Sequence, residues 1–202
     1  MDSTLVPLEW FSHLAKRKNI GSDFHEITEK SMNWEIAFHD SFVMRLNLLQ
    51  ATSEDQEWLW KEYESVIEKE MTDLLIELKK NHEIWILSYT YQKSAEILMS
   101  DLWLGVEYVF ANNLTWPYPS GYANDQKLLL WKESKWRIIS DLKSKWKEVC
   151  FIWDGYQDAL SWIEYADFFV WAGYYASREK VKKMSSNFVE SKEQLSAYLL
   201  NL

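Results

Sequence analysis

The sequence predicts an α/β protein, a doubly wound and mostly parallel sheet joined to a small helical cap. Three observations predict it. From residue 8 to about residue 80, apolar side chains recur at three- and four-residue spacing, the period of helices packed on one face. Four short apolar runs follow: EIWILS (83–88), YVFAN (108–112), VCFIWD (149–154) and DFFVW (167–171). They are too short for helices and barely alternate, as strands buried on both faces do. Helical segments separate them, and strands alternating with helices define a doubly wound sheet.

In chain order, LEWFSHLAKRK sets Leu8, Phe11, Leu14 and Ala15 on one helix face. SMNWEIAFHDSFVMRLNLLQ does the same with Phe38, Phe42, Val43, Leu46 and Leu49. TSEDQEWLW reads as a helix start, with Thr52 or Ser53 as the N-cap and acids in the first turn. One long amphipathic stretch then runs through VIEKEMTDLLIELKKN, with Lys79 and Lys80 near its end, where cations suit the helix dipole. Later helices are expected at about 91–103, 133–146 and 157–165. TWPYPSGYAND (115–125) holds two of the three prolines and reads as a loop or hairpin. This layout divides the chain into a core at 1–8 and 66–202 and a helical cap at 9–65.

The 202 residues suffice for a sizeable core, and 48% hydrophobic with 26% charged residues is ordinary for a globular chain. A net charge of -9 argues against nucleic acid or an anionic membrane as the main partner, because both need a basic face. It leaves room for a small positive pocket that takes a phosphorylated metabolite. With Cys150 as its one cysteine, the chain forms no internal disulfide, and a reducing, cytoplasmic setting fits. Cys150 itself lies in an apolar run and reads as a core residue. The first fifteen residues lack a basic stretch followed by an apolar one, and no run reaches the roughly 18 apolar residues of a membrane span. His13, His25, His39 and His82 lack metal-ligand spacing and read as surface or helix-face imidazoles. Thirteen tryptophans stand against five glycines, which limits tight turns and close backbone approach to a ligand.

Four polar signals sit where strands end. Asp2, Ser3 and Thr4 open the chain, and Ser88 closes EIWILS. Lys135 begins a helix in ESKWRII, and Asp154, Gly155 and Asp158 follow the strand in WDGYQD. In an open parallel sheet, ligands bind at the carboxyl ends of the strands. Each signal alone is weak, but their order and spacing are specific.

Together they resemble the haloacid-dehalogenase-like phosphatases, whose core is of the Rossmann type, and among them the phosphoserine phosphatases. The resemblance runs nearly end to end. The family's first motif is Asp-x-Asp-x-Thr, and MDST matches it from the second position on. Ser88, Lys135 and DGYQD match the second, third and fourth motifs. ITEKSMNWEIAFHDSFVMRLNLL resembles the cap segment, and LGVEYVFANNL the strand after the second motif.

The resemblance implies a Mg²⁺-dependent phosphatase acting on phosphoserine or a similar small phosphomonoester through an aspartyl-phosphate. Asp2 is implied as the general acid, its backbone carbonyl as a Mg²⁺ ligand, and Asp154 as the side-chain ligand. Asp158 supports that metal site, Ser88 hydrogen-bonds a phosphate oxygen, and Lys135 balances the shared negative charge. Glu9 is implied to take the substrate ammonium and Arg45 its carboxylate, with Met32 and Phe38 lining the cap. By residue type alone, Arg45 reads as a solvated helix residue and Phe38 as simple core packing.

The pattern also breaks. The family's nucleophilic Asp falls immediately before Met1, so that residue and the first strand of the sheet are expected to be missing from this sequence. Tyr89 and Trp153 stand at usual glycine positions, Trp34 at a glycine of the cap, and Gln157 at an Asn. Two explanations are open: a start upstream of Met1, or a relative that binds a ligand or partner without turnover.

Overall fold

The computed structural model describes residues 1–32, 35–105, 108–112, 134–145, 148–155, 165–177, 179–184 and 186–202. Its first part is helical: α1 (Trp10–Arg17), α2 (Ser22–Met32), α3 (Phe38–Leu49), α4 (Ser53–Val66) and α5 (Lys69–Leu78). α1 buries Trp10, Phe11, Leu14 and Ala15, close to the stripe its spacing predicts. Thr52 caps α4 with a full capping box. Its hydroxyl accepts from the Asp55 amide at 3.3 Å, while the Asp55 carboxylate accepts from the Thr52 amide at 2.9 Å.

The long stretch expected after α4 is two helices. Ile67 and Glu68 both take extended backbone conformations, ending α4 and starting α5. At this break Lys192, at the start of a later helix, binds Glu68 and reaches Glu70 at 2.9 Å.

The second part alternates β1 (Ile86–Tyr91), α6 (Gln92–Asp101), β2 (Val109–Asn112), α7 (Ser134–Lys145), β3 (Cys150–Trp153) and β4 (Phe168–Ala172). It closes with α8 (Glu179–Met184), β5 (Phe188–Val189) and α9 (Lys192–Leu199), which the apolar runs did not reveal. The expected helix at 157–165 falls almost wholly outside the described residues, and the loop at 115–125 entirely so. β1 starts later than EIWILS and continues through SYTY, whose Tyr and Thr side chains favour strands, so Ser88 sits within β1 rather than at its end.

All strand pairings among the described residues are parallel. β1 pairs with β2, Ile86 opposite Val109 and Leu87 opposite Phe110. β3 pairs with β4, Cys150 opposite Phe168 through Trp153 opposite Trp171, and β4 with β5. Among the described residues these form two separate sheets, β1-β2 and β3-β4-β5. One core ties the helical part to both: Val6, Leu14, Phe42, Leu59, Tyr63, Tyr91, Ala95 and Val170 are wholly inaccessible. A second cluster, Leu87, Ile139, Phe151, Phe169 and Trp171, lies on the α7 side. No helix among the described residues is long and apolar enough to cross a membrane.

Candidate active site

The opening residues form a tight turn. The Met1 carbonyl accepts from the Leu5 amide at 2.7 Å and from the Thr4 amide at 3.2 Å. Ser3 takes a left-handed conformation, φ 50°, which is strained for a residue with a side chain. The turn is held from outside. Tyr174 donates to the Thr4 carbonyl at 2.6 Å, and the Ser3 hydroxyl donates to Glu9 at 2.6 Å.

Asp2 is half-buried and doubly gripped. Its Oδ2 accepts from the Trp10 amide at the N-terminus of α1, at 3.2 Å, and its Oδ1 accepts from the Tyr63 hydroxyl at 2.7 Å. Tyr63 in turn lies 2.7 Å from the Thr90 hydroxyl of β1. Burial, and next the nearby Glu9 charge, push the Asp2 carboxyl up to about 7, against the lowering effect of the Met1 ammonium, Tyr63 and Trp10. An acid titrating near neutrality is matched to general acid catalysis. Burial, then the Asp2 charge, hold the Tyr63 phenol well above its ordinary range, so it stays a donor.

Asp2, Lys135, Asp154 and Glu9 all act electrostatically on the buried Met1 nitrogen, so the fold brings charges from three separate segments to bear on one group. Asp154 is 8% exposed and follows β3 directly; Lys135, in the first turn of α7, is wholly inaccessible. The Lys135 ammonium lies 3.7 Å from the centroid of the Tyr89 ring and 3.5 Å from that of Trp153. The two residues at usual glycine positions therefore flank the motif lysine with aromatic faces, an environment that favours a desolvated cation. Gly155 has no room for a side chain, because a Cβ there would meet the Trp153 indole nitrogen at 2.6 Å. Ser88 is buried, and its oxygen accepts from the Thr90 amide at 3.2 Å, which leaves its hydroxyl hydrogen to donate to an anion.

Arg45 is no solvated surface residue. It is 8% exposed, donates to the Ser41 carbonyl at 3.2 Å and lies 4.4 Å over the Phe11 ring. Burial, opposed by Glu9, lowers its guanidinium to about 10, so it stays charged at neutral pH. Phe38 opens α3 with its ring 5.0 Å from Tyr89, next to the lysine cage. Met32 is the last residue of α2; its side chain, like Trp34, Gln157 and Asp158, lies outside the described residues. Cys150 packs against the core, and burial pushes its thiol up to about 11, which makes it a poor nucleophile.

Tyr63 and Thr90 escaped the sequence reading. In the sequence Tyr63 is one more aromatic on an apolar helix face, and Thr90 one more β-branched strand residue. The signal that could have found Tyr63 is a polar tip among buried positions, which needs a partner.

The site offers hard oxygen donors in the Asp2 backbone carbonyl and the Asp154 carboxylate, and Mg²⁺ is often held by one or two carboxylates with water. Among the described residues no cluster of three His, Cys, Asp or Glu forms a cage by itself. The two oxygen donors fit Mg²⁺.

The Asp2 turn, Ser88 within β1, Lys135 in the first turn of α7 and Asp154 after β3 resemble the site of the haloacid-dehalogenase-like phosphatases, a class of phosphoric monoester hydrolases, and the chain is similar to proteins of that class. The relatives that recur within this class are phosphoserine phosphatases. The mouse (Mus musculus) enzyme is 27% identical over 187 residues, covering 90% of this chain and 83% of that protein. The human (Homo sapiens) enzyme matches with the same identity and coverage. The crystal structure of a phosphoserine phosphohydrolase-like protein from Francisella tularensis superposes with a TM-score of 0.77, at 25% identity, over 98% of this chain and 96% of that one. A substrate-bound phosphoserine phosphatase complex shares the fold with a TM-score of 0.75, at 20% identity, over 98% of this chain and 94% of that one. No family model matches the chain.

Proposed function

We propose that this chain acts on phosphoserine or a similar small phosphomonoester in Mg²⁺-dependent hydrolysis through an aspartyl-phosphate. One grouping carries the reading: Asp2, held by the Tyr63 hydroxyl and the Trp10 amide, and the buried Lys135 and Asp154 all act electrostatically on the Met1 nitrogen. Phosphoryl transfer needs charge neutralised and groups aligned more than it needs new covalent chemistry.

In this reading an aspartate carboxylate attacks phosphorus, forming the acyl phosphate as the phosphorus–alcohol oxygen bond breaks. Asp2 gives its proton to the departing alkoxide. Water then releases inorganic phosphate and restores the carboxylate, with Asp2 now taking the proton. Ser88 donates to a phosphate oxygen, and Lys135 offsets the negative charge. Asp154 and the Asp2 carbonyl, supported by Asp158, would hold Mg²⁺, which supplies further charge neutralisation when bound. Glu9 takes the substrate ammonium, Arg45 its carboxylate, and Phe38 with Met32 closes the pocket from a cap at 9–65. The buried, charged state of Arg45 supports this assignment. A cytoplasmic setting suits such a metabolite.

A second reading, binding of a phosphomonoester without turnover, is favoured by the Tyr89 and Trp153 rings, which hold the lysine that phosphate must reach. Phosphate release from phosphoserine in Mg²⁺ separates the two. The first reading predicts release that disappears in Asp154→Asn. No release by the chain, nor by a version extended with an apolar strand ending in Asp before Met1, would overturn it.

A further inference from the structure

We propose that Thr90 and Asn112 are positioning residues for Ser88: together they hold Ser88, Tyr89 and Thr90 of β1 in the shape that aims the Ser88 hydroxyl at a phosphate oxygen. This role rests on the reading of Ser88 as the donor to phosphate.

β1 and β2 run in register where Ile86 faces Val109 and Leu87 faces Phe110, and again where Tyr91 faces Asn112. Between the last two matched positions β2 advances two residues, from Phe110 to Asn112, while β1 advances four, from Leu87 to Tyr91. β1 therefore carries two extra residues, a bulge over Ser88, Tyr89 and Thr90. Bulges re-aim side chains and are over-represented beside active sites. They also interrupt the ladder, so buried backbone groups there need other partners. None of the three residues takes a left-handed backbone, so a side chain is accommodated at Tyr89, where glycine is usual.

The bulge is tied on two sides. Asn112, wholly inaccessible at the end of β2, donates from its side-chain amide to the Tyr89 carbonyl at 2.8 Å. The strand it reaches from is itself pinned: Gln92, the first residue of α6, donates to the Val109 carbonyl at 2.9 Å and accepts from the Ala111 amide at 2.6 Å. On the other side, the buried Thr90 hydroxyl lies 2.7 Å from that of Tyr63 in α4. Tyr63 gives its own hydrogen to Asp2, so Thr90 is the donor in this pair.

The Thr90 amide then donates to the Ser88 oxygen at 3.2 Å. Thr90 thus reaches Ser88 through its backbone and Asp2 through Tyr63, which links the anion donor to the acid. A hydrogen bond weakens steeply as its angle falls below about 120°, so a small swing of the bulge forfeits the bond from Ser88 to phosphate.

The test is titration calorimetry with inorganic phosphate on the full chain, with Mg²⁺ present. The chains compared are the parent, Ser88→Ala, Thr90→Val, Thr90→Ser and the double variant of Ser88→Ala with Thr90→Val. Thr90→Val keeps the shape and removes the hydroxyl; it should weaken phosphate binding about tenfold, and Thr90→Ser should restore most of the affinity. In the Ser88→Ala background Thr90→Val should change affinity by less than about twofold, because no hydroxyl remains to be aimed. Asn112→Leu, read in the same two backgrounds, should repeat the pattern from the other side of the bulge. Thermal unfolding separates this role from packing: a lower Tm with unchanged phosphate affinity in Thr90→Val and Asn112→Leu overturns it. So does an equal loss of affinity in both backgrounds, or a parent chain that binds no phosphate. Phosphate release from phosphoserine keeps the two readings apart. Binding with this coupling but without release upholds the positioning role and refutes hydrolysis; release without the coupling does the reverse.

Discussion

The ammonium of Lys135 lies 3.5 Å from the centre of the Trp153 ring, so the cation at the heart of the site rests on an aromatic face. Tyr89 flanks the same nitrogen at 3.7 Å. A desolvated cation–π contact is worth up to about 2 kcal/mol, and an anion approaching Lys135 must draw it from these rings. Trp153→Ala should therefore tighten inorganic phosphate binding by up to about tenfold, the equivalent of ~1.4 kcal/mol, measured by titration calorimetry. Lys135→Met, which keeps the apolar stem between the rings, should abolish the binding.

Gly155 and Trp153 should prove energetically coupled. A Cβ at Gly155 collides with the indole, and such overpacking costs about 1–3 kcal/mol. Gly155→Ala should lower stability by that amount in denaturant unfolding. In a Trp153→Ala background the same change should cost almost nothing, a double-mutant coupling that identifies the indole as the obstacle.

Asp2 imposes a pH dependence on stability. Its carboxyl rises from an ordinary 3.8 to about 7 on folding, so between these values the folded chain holds a proton that the unfolded chain has lost. Its contribution is full below about pH 4, falls as pH rises, and levels off above about pH 7. Asp2→Asn removes this slope. Thermal unfolding from pH 4 to pH 8 should show the variant gaining on the parent chain as pH rises to about 7, with no further gain beyond.

Tyr63→Phe tests the grip on that acid. It removes the donor to Asp2 and a partner of Thr90, and leaving buried polar groups unsatisfied costs about 1–3 kcal/mol. Because the Tyr63 hydrogen bond lowers the Asp2 carboxyl, its loss should raise it further. In a phosphate-release assay the alkaline limb should move to higher pH, since the protonated acid then persists longer.

Much of the architecture was legible in the sequence because its signals are periodic. The stripe Leu8, Phe11, Leu14 and Ala15 became the inner face of α1 and its approach, and Thr52 became a capping-box N-cap. The break at Ile67 and Glu68 was not legible, because no glycine or proline marks it and the apolar period continues across it. β5 and α9 were missed because a two-residue strand and a short polar helix carry almost no periodic signal. In the site, the motif residues could be named singly, but their convergence could not. The surprise is the role of the two substituted glycines. Tyr89 and Trp153, at usual glycine positions, form the environment of Lys135, a relation set by the approach of α7 to β1 and β3.

The most direct test of the account is binding of phosphoserine to the chain in Mg²⁺, measured by titration calorimetry beside Lys135→Met and Asp154→Asn. The account predicts saturable binding to the parent chain and its loss in both variants. Absence of binding to the parent chain, or affinity unchanged in both variants, would contradict it.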